Sequence, residues 1–161
     1  MDDLKLSTVF ARNCEVRKIP KSVAEPFINA NHRLGYCTCR HRYALFVRKS
    51  TGGAELKLPE GTMVAVATFS NPRNMTARGG NPRSFEWIRY ASLAGVRVVG
   101  GMGKLLRSFV DDVHPDDVMT YVDSSESAGE SYAALGFVCE GESGGRGYSD
   151  LKFRKNYLAG F

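Results

Sequence analysis

The chain has 161 residues, of which 43% are hydrophobic and 24% are charged, so it is long enough and apolar enough to bury the core of one domain. It has no run of about 18 apolar residues that would predict a transmembrane helix, and Met1–Lys5 lacks the apolar core of a signal peptide. Four cysteines are too few for a disulfide framework. We expect one domain over residues 1–161, with residues 1–12 poorly ordered, in a reducing cytoplasmic compartment and with no membrane partner.

The net charge is +5 and the sequence pI is about 9.1. This balance favours a polyanionic partner, either a nucleic acid or a phosphorylated cofactor, although many soluble proteins are equally basic. The loop Asn71–Ser84 carries Arg73, Arg78 and Arg83 and no acidic residue. It is either a solvated connection or a lip that faces a substrate, a phosphate or a DNA or RNA strand.

The sequence of the N-terminal half predicts a strand, a helix and then two further strands. Cys14–Ile19 is typical of a short strand, and Pro20 precedes a helix that runs to Asn31. Residues 36–47 are rich in β-forming residues, and residues 50–61 are a turn-rich connection. The clearest strand of the chain is Thr62–Phe69.

The C-terminal half begins with a strand over residues 84–93 that leads to a glycine-rich turn. Apolar residues at helical spacing predict a helix over Gly101–Val113, and they are Met102, Leu105, Leu106, Phe109, Val110 and Val113. A strand over 118–122 follows, and then a short helix that Ser125 or Ser127 would cap and that ends at Gly136. The last two strands are predicted at 137–140 and 148–153.

The resulting element order is β-α-β-β-β-α-β-α-β-β. A central β-α-β unit carries the glycine-rich turn, and the remaining strands are expected to be antiparallel. The order therefore predicts an α/β (mixed α+β) fold with a mostly antiparallel sheet and helices on both of its faces.

The turn that opens the long helix has the composition of a phosphate cradle. Its residues are Val99, Gly100, Gly101, Met102, Gly103 and Lys104. Glycines let the backbone approach a ligand closely, and the first N–H groups of the helix point at it with the positive end of the helix dipole. The spacing is that of neither a Walker A loop nor a dinucleotide fingerprint.

This order and this turn resemble the GNAT acyltransferase superfamily over nearly the whole chain. The family signature is Arg/Gln-x-x-Gly-x-Gly/Ala, and here Gly101-Met102-Gly103 matches it while Val98 stands in the Arg/Gln position. A second family element, Asn-x-x-Ala-x-x-x-Tyr-x-x-x-Gly-Phe, is matched with Ser in place of Asn, by Ser125, Ala128, Tyr132, Gly136 and Phe137.

Further blocks are similar to GNAT domains of phage and to Mom-type DNA-modification proteins. They are Asn31-His32-x-x-Gly35-Tyr36, Ala67-Thr68-Phe69-x-x-Pro72-Arg73, Glu86-x-x-Arg89, Val99-Gly100-Gly101-x-x-Lys104-Leu105-Leu106 and Tyr121-x-Asp123. This similarity implies an enzyme that acts on a nucleobase as one alternative.

The resemblance implies acetyl-CoA, or another acyl-CoA, as the cofactor and an amine as the acceptor. It implies that Tyr132 is the general acid near the cofactor sulfur, although this ring can also simply pack on an apolar face. Glu86 is the candidate base, with a surface carboxylate paired to an arginine as the alternative. We therefore keep two hypotheses for the function. The first is an enzyme that acts on a small-molecule or nucleic-acid amine, and the second is a binding module whose cofactor site has decayed.

Four residues are candidates for substrate binding: His32, Arg73, Arg89 and Asp123. His32 is alternatively a helix-end histidine bonded to local carbonyls, and Asp123 binds substrate, orients Arg89 or only terminates its strand. Cys37, Cys39 and His41 alternate along the predicted strand, but Cys-x-Cys is not a zinc spacing. We expect two small core cysteines and no metal site.

Overall fold

A computed structural model describes residues 7–49, 51–52, 57–73, 83–125, 128–143 and 150–157. The chain divides into two compact units. The first unit comprises residues 1–69 and 89–113, and the second unit comprises residues 70–88 and 114–161. The expectation of one domain over residues 1–161 therefore stays a prediction.

The elements follow one another along the chain with these bounds. They are β1 Ser7–Phe10, β2 Cys14–Lys18, α1 Lys21–Asn31, β3 His41–Val47, β4 Thr51–Gly52, β5 Lys57–Leu58, β6 Met63–Phe69, β7 Ser84–Ser92, β8 Val96–Val99, α2 Gly101–Val113, β9 Asp117–Asp123, α3 Glu130–Ala134, β10 Val138–Ser143 and β11 Asp150–Asn156. None of the helices in the described ranges is both long and apolar enough to cross a membrane.

Both parallel and antiparallel pairing occur in the sheet, as the sequence predicts. In the first unit β3 pairs antiparallel with β2 and β6. In the second unit β11 pairs antiparallel with β9 and β10, and the start of β7 pairs parallel with β9. The strand order is therefore β6-β3-β2 within the first unit, and β10-β11-β9 with the start of β7 beside β9 within the second.

Helices α1 and α2 cover opposite faces of the β3–β6 pair. Ala44 lies in one buried cluster with Ala24 and Ile28 of α1. Its neighbour Tyr43 points to the other face, because side chains alternate along a strand, and there its ring meets Phe109 of α2 edge-on at 6.2 Å. The prediction of helices on both faces is therefore confirmed within the first unit.

Helix α2 is amphipathic as predicted. Leu105, Leu106 and Phe109 are buried, and the ring of Phe109 stacks on Phe69 of β6 with 4.0 Å between the centroids and 4° between the planes. This contact fixes α2 on the sheet, because a fully buried aromatic pair excludes water over a large area.

The second unit combines an aromatic cluster with a buried ion pair. The rings of Trp87 and Tyr132 meet edge-on at 5.3 Å. Arg154, 3% exposed, donates from Nη1 to Asp117 Oδ1 at 2.5 Å and to Ser84 Oγ at 3.2 Å. Because burial removes both charges from water, the pair is stable only while it remains complete.

Strands β1 and β8 differ from the expected organisation. The sequence analysis expected residues 1–12 to be poorly ordered, yet Ser7–Phe10 is strand β1 and residues 11–13 form a 3-10 turn. Strand β1 pairs parallel with β8, from Ser7 opposite Val96 to Phe10 opposite Val99. The strand that directly precedes the glycine turn is thus β8 and not β7. Residues 1–6 lie outside the described residues.

Three element boundaries also differ. Strand β3 begins at His41 rather than Tyr36, and the connection 50–61 contains the short β4–β5 pair. The N-cap of α3 is Gly129 at φ 83°, not Ser125, whose hydroxyl donates to Asp123 Oδ1 instead. Ser127, the other candidate cap, lies outside the described residues. Glycine fits the cap because a side chain at Gly129 would overlap the Phe153 ring.

We expect Asp117→Asn to lower the free energy of unfolding by about 3–5 kcal/mol, because it leaves the buried Arg154 charge without its partner. Chemical denaturation monitored by tryptophan fluorescence measures this loss. Glu140→Gln is the matched control, since Glu140 binds the same arginine at 3.0 Å but is 40% exposed. The control should lose less than about 1 kcal/mol. Equal losses in both variants would contradict the role of burial.

Candidate active site

The glycine turn is built on two glycines with different tasks. Gly100 adopts φ 79°, a left-handed conformation that favours glycine. Gly101 begins α2 and is buried, and a Cβ there would lie 2.7 Å from Tyr90 Oη and 2.8 Å from Val98 Cγ1. The first glycine therefore turns the chain, and the second lets α2 begin directly against β8.

A cavity of about 640 Å³ lies beside this turn in the first unit. Its lining includes four of the six residues that the sequence analysis assigned to the cofactor, namely Val99, Gly100, Gly103 and Lys104. Gly101 is buried and Met102 is half-buried, and neither lines the cavity. The remaining lining residues are Phe10, Ala11, Arg12, Arg107, Ser108 and Asp111.

Lys104 lines the cavity, but its ammonium binds backbone carbonyls. Nζ donates to Ala11 O at 2.9 Å and to Cys14 O at 2.6 Å. The side chain thus ties α2 to the segment that follows β1. Burial raises the pKa of the adjacent Cys14 thiol, and the positive charge of Lys104 opposes that rise.

Two exposed cations at the cavity were not among the predicted site residues. Arg107 lies one helical turn beyond Gly103 on α2, and the guanidinium of Arg12 lies over the Phe10 ring, 4.6 Å from its centroid. Positive side chains at the rim and unpaired N–H groups in the first turn of α2 together make this end of the cavity attractive to an anion.

In the second unit, Tyr132 lies in the aromatic cluster. Its ring also meets Phe137 edge-on at 5.6 Å and lies 6.4 Å from the Phe153 ring, and the residue is half-buried. The Tyr132 ring therefore packs against apolar neighbours, which is the alternative that the sequence analysis set beside catalysis. The role of its hydroxyl as a general acid stays a prediction.

Glu86 and Arg73, both in the second unit, form an ion pair. Arg73 Nη2 donates to Glu86 Oε1 at 3.0 Å, and the Glu86 N–H donates to Ser70 Oγ at 2.9 Å. The carboxylate is thus paired with an arginine, which is the alternative that the sequence analysis set against catalysis. Its role as a base, and that of Arg73 in substrate binding, remain predictions.

The basic loop 71–84 is described only at its two ends, since residues 74–82, including Arg78, lie outside the described residues. At the second end, Arg83 Nη1 donates to His114 O at 3.0 Å and the Arg83 N–H donates to Asp116 Oδ2 at 2.6 Å. Arg73 and Arg83 therefore both bind groups of the protein itself, and contact of this loop with DNA or RNA stays a prediction.

Asp123, the last residue of β9, stabilises the turn that follows the strand. Its Oδ1 accepts hydrogen bonds from the N–H of Ser125 at 3.0 Å and from Ser125 Oγ at 2.7 Å. This is the strand-ending arrangement that the sequence analysis considered, and substrate binding by Asp123 stays a prediction.

His32 and Arg89 lie close together in the first unit. His32 ends α1, and its Nδ1 accepts the N–H of Leu34 at 3.0 Å, so the neutral ring carries its proton on Nε2. The histidine is thus held by a local N–H and not by carbonyls. Arg89 Nε donates to Gly35 O at 2.8 Å. Burial lowers the pKa of His32, and the charges of Arg89 and Arg33 lower it further.

The two cysteines that precede His41 lie neither in the core nor on strand β3. Cys37 is exposed and Cys39 is half-buried, and both precede β3. The Cys39 thiol lies 3.3 Å from Tyr36 Oη. The expectation of two core cysteines is therefore wrong, because β3 begins only at His41. Among the described residues no group of histidine, cysteine and acidic side chains could hold a metal ion.

The chain matches no protein-family model and no curated protein. It does match solved structures. A chain of the NatC complex bound to Gag peptide and CoA matches at 11% identity and a TM-score of 0.63, over 91% of this chain and 99% of that one. The putative acetyltransferase yncA from Salmonella typhimurium, with acetyl-CoA, matches at 14% identity and a TM-score of 0.60, over 91% and 95%. A GNAT-family acetyltransferase from Bacillus cereus matches at 13% identity and a TM-score of 0.55, over 90% and 98%.

The chain has the GNAT fold. At these identities the similarity concerns the fold, and it confirms the predicted fold class. The finer similarity to phage and Mom-type domains stays a prediction. Within this GNAT fold, the sequence located the glycine turn correctly but not the cations beside it. Arg107 could have been found from helical spacing, since it lies four residues after Gly103 on one face of α2. No local signal could have found Arg12.

We expect the pKa of His32 to lie below 6.5, its ordinary value, and to rise in Arg89→Gln, because that change removes a positive charge nearby. NMR titration of the imidazole protons measures both values. Since folding favours the neutral ring, the contribution of His32 to stability is complete above pH 6.5 and is lost as the pH falls through the lowered pKa. Arg97→Gln is the control, since Arg97 is an exposed residue of β8. An unchanged pKa in Arg89→Gln would contradict this account.

Proposed function

We propose that this protein transfers an acyl group, most simply acetyl, from CoA to an amine. The observation that carries the proposal is the glycine turn at the start of α2, which opens onto a cavity with Arg12 and Arg107 at its rim. The structural neighbours described above support it, since two of them are acetyltransferases by name and one of these has acetyl-CoA with it. The NatC structure, in turn, contains CoA together with a peptide.

The residues at the turn fit an acyl-CoA. The cavity volume of about 640 Å³ lies in the range of small-molecule sites. The N–H group of Gly103, which lines the cavity at the start of α2, would face the pyrophosphate, with Arg12 and Arg107 as the counter-charges. A side chain at Gly101 would displace Tyr90 or Val98 and so disturb the start of the helix. When bound, the acyl-CoA would supply an activated thioester.

We further propose the roles of two residues of the second unit. Glu86 would take a proton from the acceptor amine at a carboxylate oxygen, with Arg73 fixing the position of that carboxylate. Tyr132 would hold a proton on its phenol oxygen for the leaving sulfur, with its ring held by Trp87 and Phe137. Acid–base steps of this kind each contribute about 10²–10⁴ in rate. Residues 1–161 would then act as one acyltransferase domain.

The acceptor remains the open part of the proposal. We propose a small-molecule or peptide amine first, and a nucleobase amine as the alternative that the phage and Mom-type similarity implies. Asp123 and Arg73 stay candidates for contact with it. All four cysteines are free thiols, which fits a reducing, cytoplasmic site of action.

Acetyl-CoA and free CoA should each raise the melting temperature of the protein. At 100 times Kd the added stability is about 2.7 kcal/mol. Arg107→Gln should weaken CoA binding roughly tenfold, because it removes one charge-assisted contact with a phosphate. Arg17→Gln is the control, since Arg17 is exposed on β2 and contacts Glu15 and the Phe46 ring. If neither ligand moves the melting temperature, the acyl-CoA proposal is wrong.

Tyr132→Phe should lower kcat by about 10²–10⁴ while CoA affinity and the melting temperature stay nearly unchanged, because the ring keeps its packing and only the hydroxyl is lost. Release of the CoA thiol during turnover measures kcat. Tyr157→Phe is the control, since Tyr157 directly follows β11 and Lys155 Nζ lies 5.5 Å from the centroid of its ring. If kcat of Tyr132→Phe lies within twofold of the wild-type value, Tyr132 is not the general acid and its role is packing.

A further inference from the structure

A row of polar side chains crosses the sheet of the first unit next to its core. The buried cluster under α1 includes one residue from each of three strands, namely Ala44 of β3, Val66 of β6 and Ala91 of β7. Two positions along each strand, on the same face because side chains alternate, lie Arg42, Thr68 and Arg89. Arg42 and Thr68 are direct partners in the register of β3 and β6. We call these three residues the Arg-Thr-Arg row.

Thr68 is the unusual member of this row. The residue is 0% exposed, and its hydroxyl has no hydrogen-bond partner among the described residues. A hydroxyl removed from water without a replacement partner is unfavourable, and buried polar groups in folded proteins are nearly always bonded. The position therefore places a buried hydroxyl, without a partner among the described residues, directly opposite Arg42 in the sheet.

The guanidinium of Arg42 is bound by oxygen and sulfur atoms of neighbouring segments. Nε donates to Ile19 O at 3.1 Å, and Nη1 donates to Cys39 O at 3.4 Å and to Cys39 Sγ at 3.6 Å. None of these partners is a carboxylate. The contact of Nη1 with Cys39 O is long for an N–H···O bond, and its other acceptor is a neutral sulfur, so an anionic oxygen would be a better acceptor for that group.

Arg89 closes the other end of the row and contacts the same covering segment. Its Nε donates to Gly35 O at 2.8 Å, and Arg42 contacts Cys39, so residues 35–39 lie over the row. This segment is neither helix nor strand. The carbonyl oxygens of Gly35 and Cys39 thus accept hydrogen bonds from Arg89 and Arg42, and oxygen atoms of a ligand would compete with them for these donors.

We propose that the Arg-Thr-Arg row binds an oxyanion, a carboxylate or a phosphate, carried by the acceptor amine. The proposal rests on the proposed function only for the identity of that ligand as the acceptor. The Arg42 guanidinium is a planar fork of donors that matches an oxyanion, and the Thr68 hydroxyl lies on the residue opposite Arg42 in the register of β3 and β6. The enzyme should therefore prefer amines with an anionic group over matched amines without one.

The first test is titration of the protein with sodium phosphate and with sodium acetate, at constant ionic strength, while the melting temperature is recorded. The wild type should show a saturable rise with at least one of the two ions. Thr68→Val removes only the hydroxyl and nearly preserves shape. It should leave the melting temperature without ligand unchanged or higher, because no hydrogen bond is lost, and should weaken oxyanion binding about tenfold.

Arg40→Gln is the matched control, since Arg40 is exposed at the end of the same segment, and it should bind the oxyanion like the wild type. Arg42→Gln should also abolish binding, but it removes the contacts with Ile19 and Cys39 as well, so Thr68→Val decides. Equal oxyanion affinity in Thr68→Val and the wild type would overturn the proposal, as would a lower melting temperature of the ligand-free variant. No saturable effect of either ion would overturn it too.

Turnover of paired amines then tests the acceptor. With acetyl-CoA, phosphoethanolamine is compared with ethanolamine and glycine with glycinamide, and the pair with the larger ratio of kcat/KM identifies phosphate or carboxylate. We expect that ratio to fall toward one in Thr68→Val, and a ratio of one in the wild type would overturn the acceptor assignment. The two proposals fail separately, because CoA binding reports on the glycine turn and the difference between Thr68→Val and the wild type reports on the row.

Discussion

The first unit depends on the alternation of side chains along β3 and β6, which gives each helix its own face of the sheet. On one face small residues such as Ala44 let α1 approach, and on the other the Phe69 and Phe109 rings lie parallel, 4.0 Å apart. Since α2 is fixed on the sheet near its C-terminal half, the position of its first turn is fixed as well. The geometry of the glycine turn is therefore set by the core: Gly101 has no side chain because Tyr90 and Val98 already fill that space.

Local patterns in the sequence were sufficient wherever an element is defined by its own periodicity. The apolar spacing of α2 and the local composition of β6 and β7 each predicted the observed element within one or two residues. Strands β1 and β8 were not predicted, because each is short and pairs with a strand that is distant in sequence, with Ser7 opposite Val96. A four-residue strand has no independent pattern, and parallel pairing of this kind becomes visible only in three dimensions.

The residues of the candidate site likewise fall into those that local sequence predicts and those that it does not. The glycine turn could be predicted because it is formed by residues that are adjacent in sequence, whereas Arg12 lies beside the cavity in the segment that follows β1. Tyr132 and Glu86 show a second limit. Their positions in the motif were recognisable, but packing and ion pairing occupy the same residues in the structure. A sequence motif states which side chain is present, and the energetics of proton transfer depend on surroundings that the motif does not contain.

The positive charge of the chain illustrates why composition alone did not identify a partner. Several cations serve as donors to main-chain carbonyls: Lys104 binds Ala11 and Cys14, and Lys155 Nζ binds the carbonyl of Leu135 at 2.7 Å. Such contacts satisfy carbonyls at the ends of elements, and they place the ammonium group where the fold requires it. The net charge of the chain does not distinguish cations that bind main-chain carbonyls from cations at the rim of a cavity. What distinguishes Arg107 and Arg42 is position, since the first borders a cavity beside a helix N-terminus and the second lies in register with a buried hydroxyl that has no partner among the described residues. If both proposed sites bind anions, a phosphorylated cofactor together with an anionic acceptor would account for these two cations without any nucleic acid.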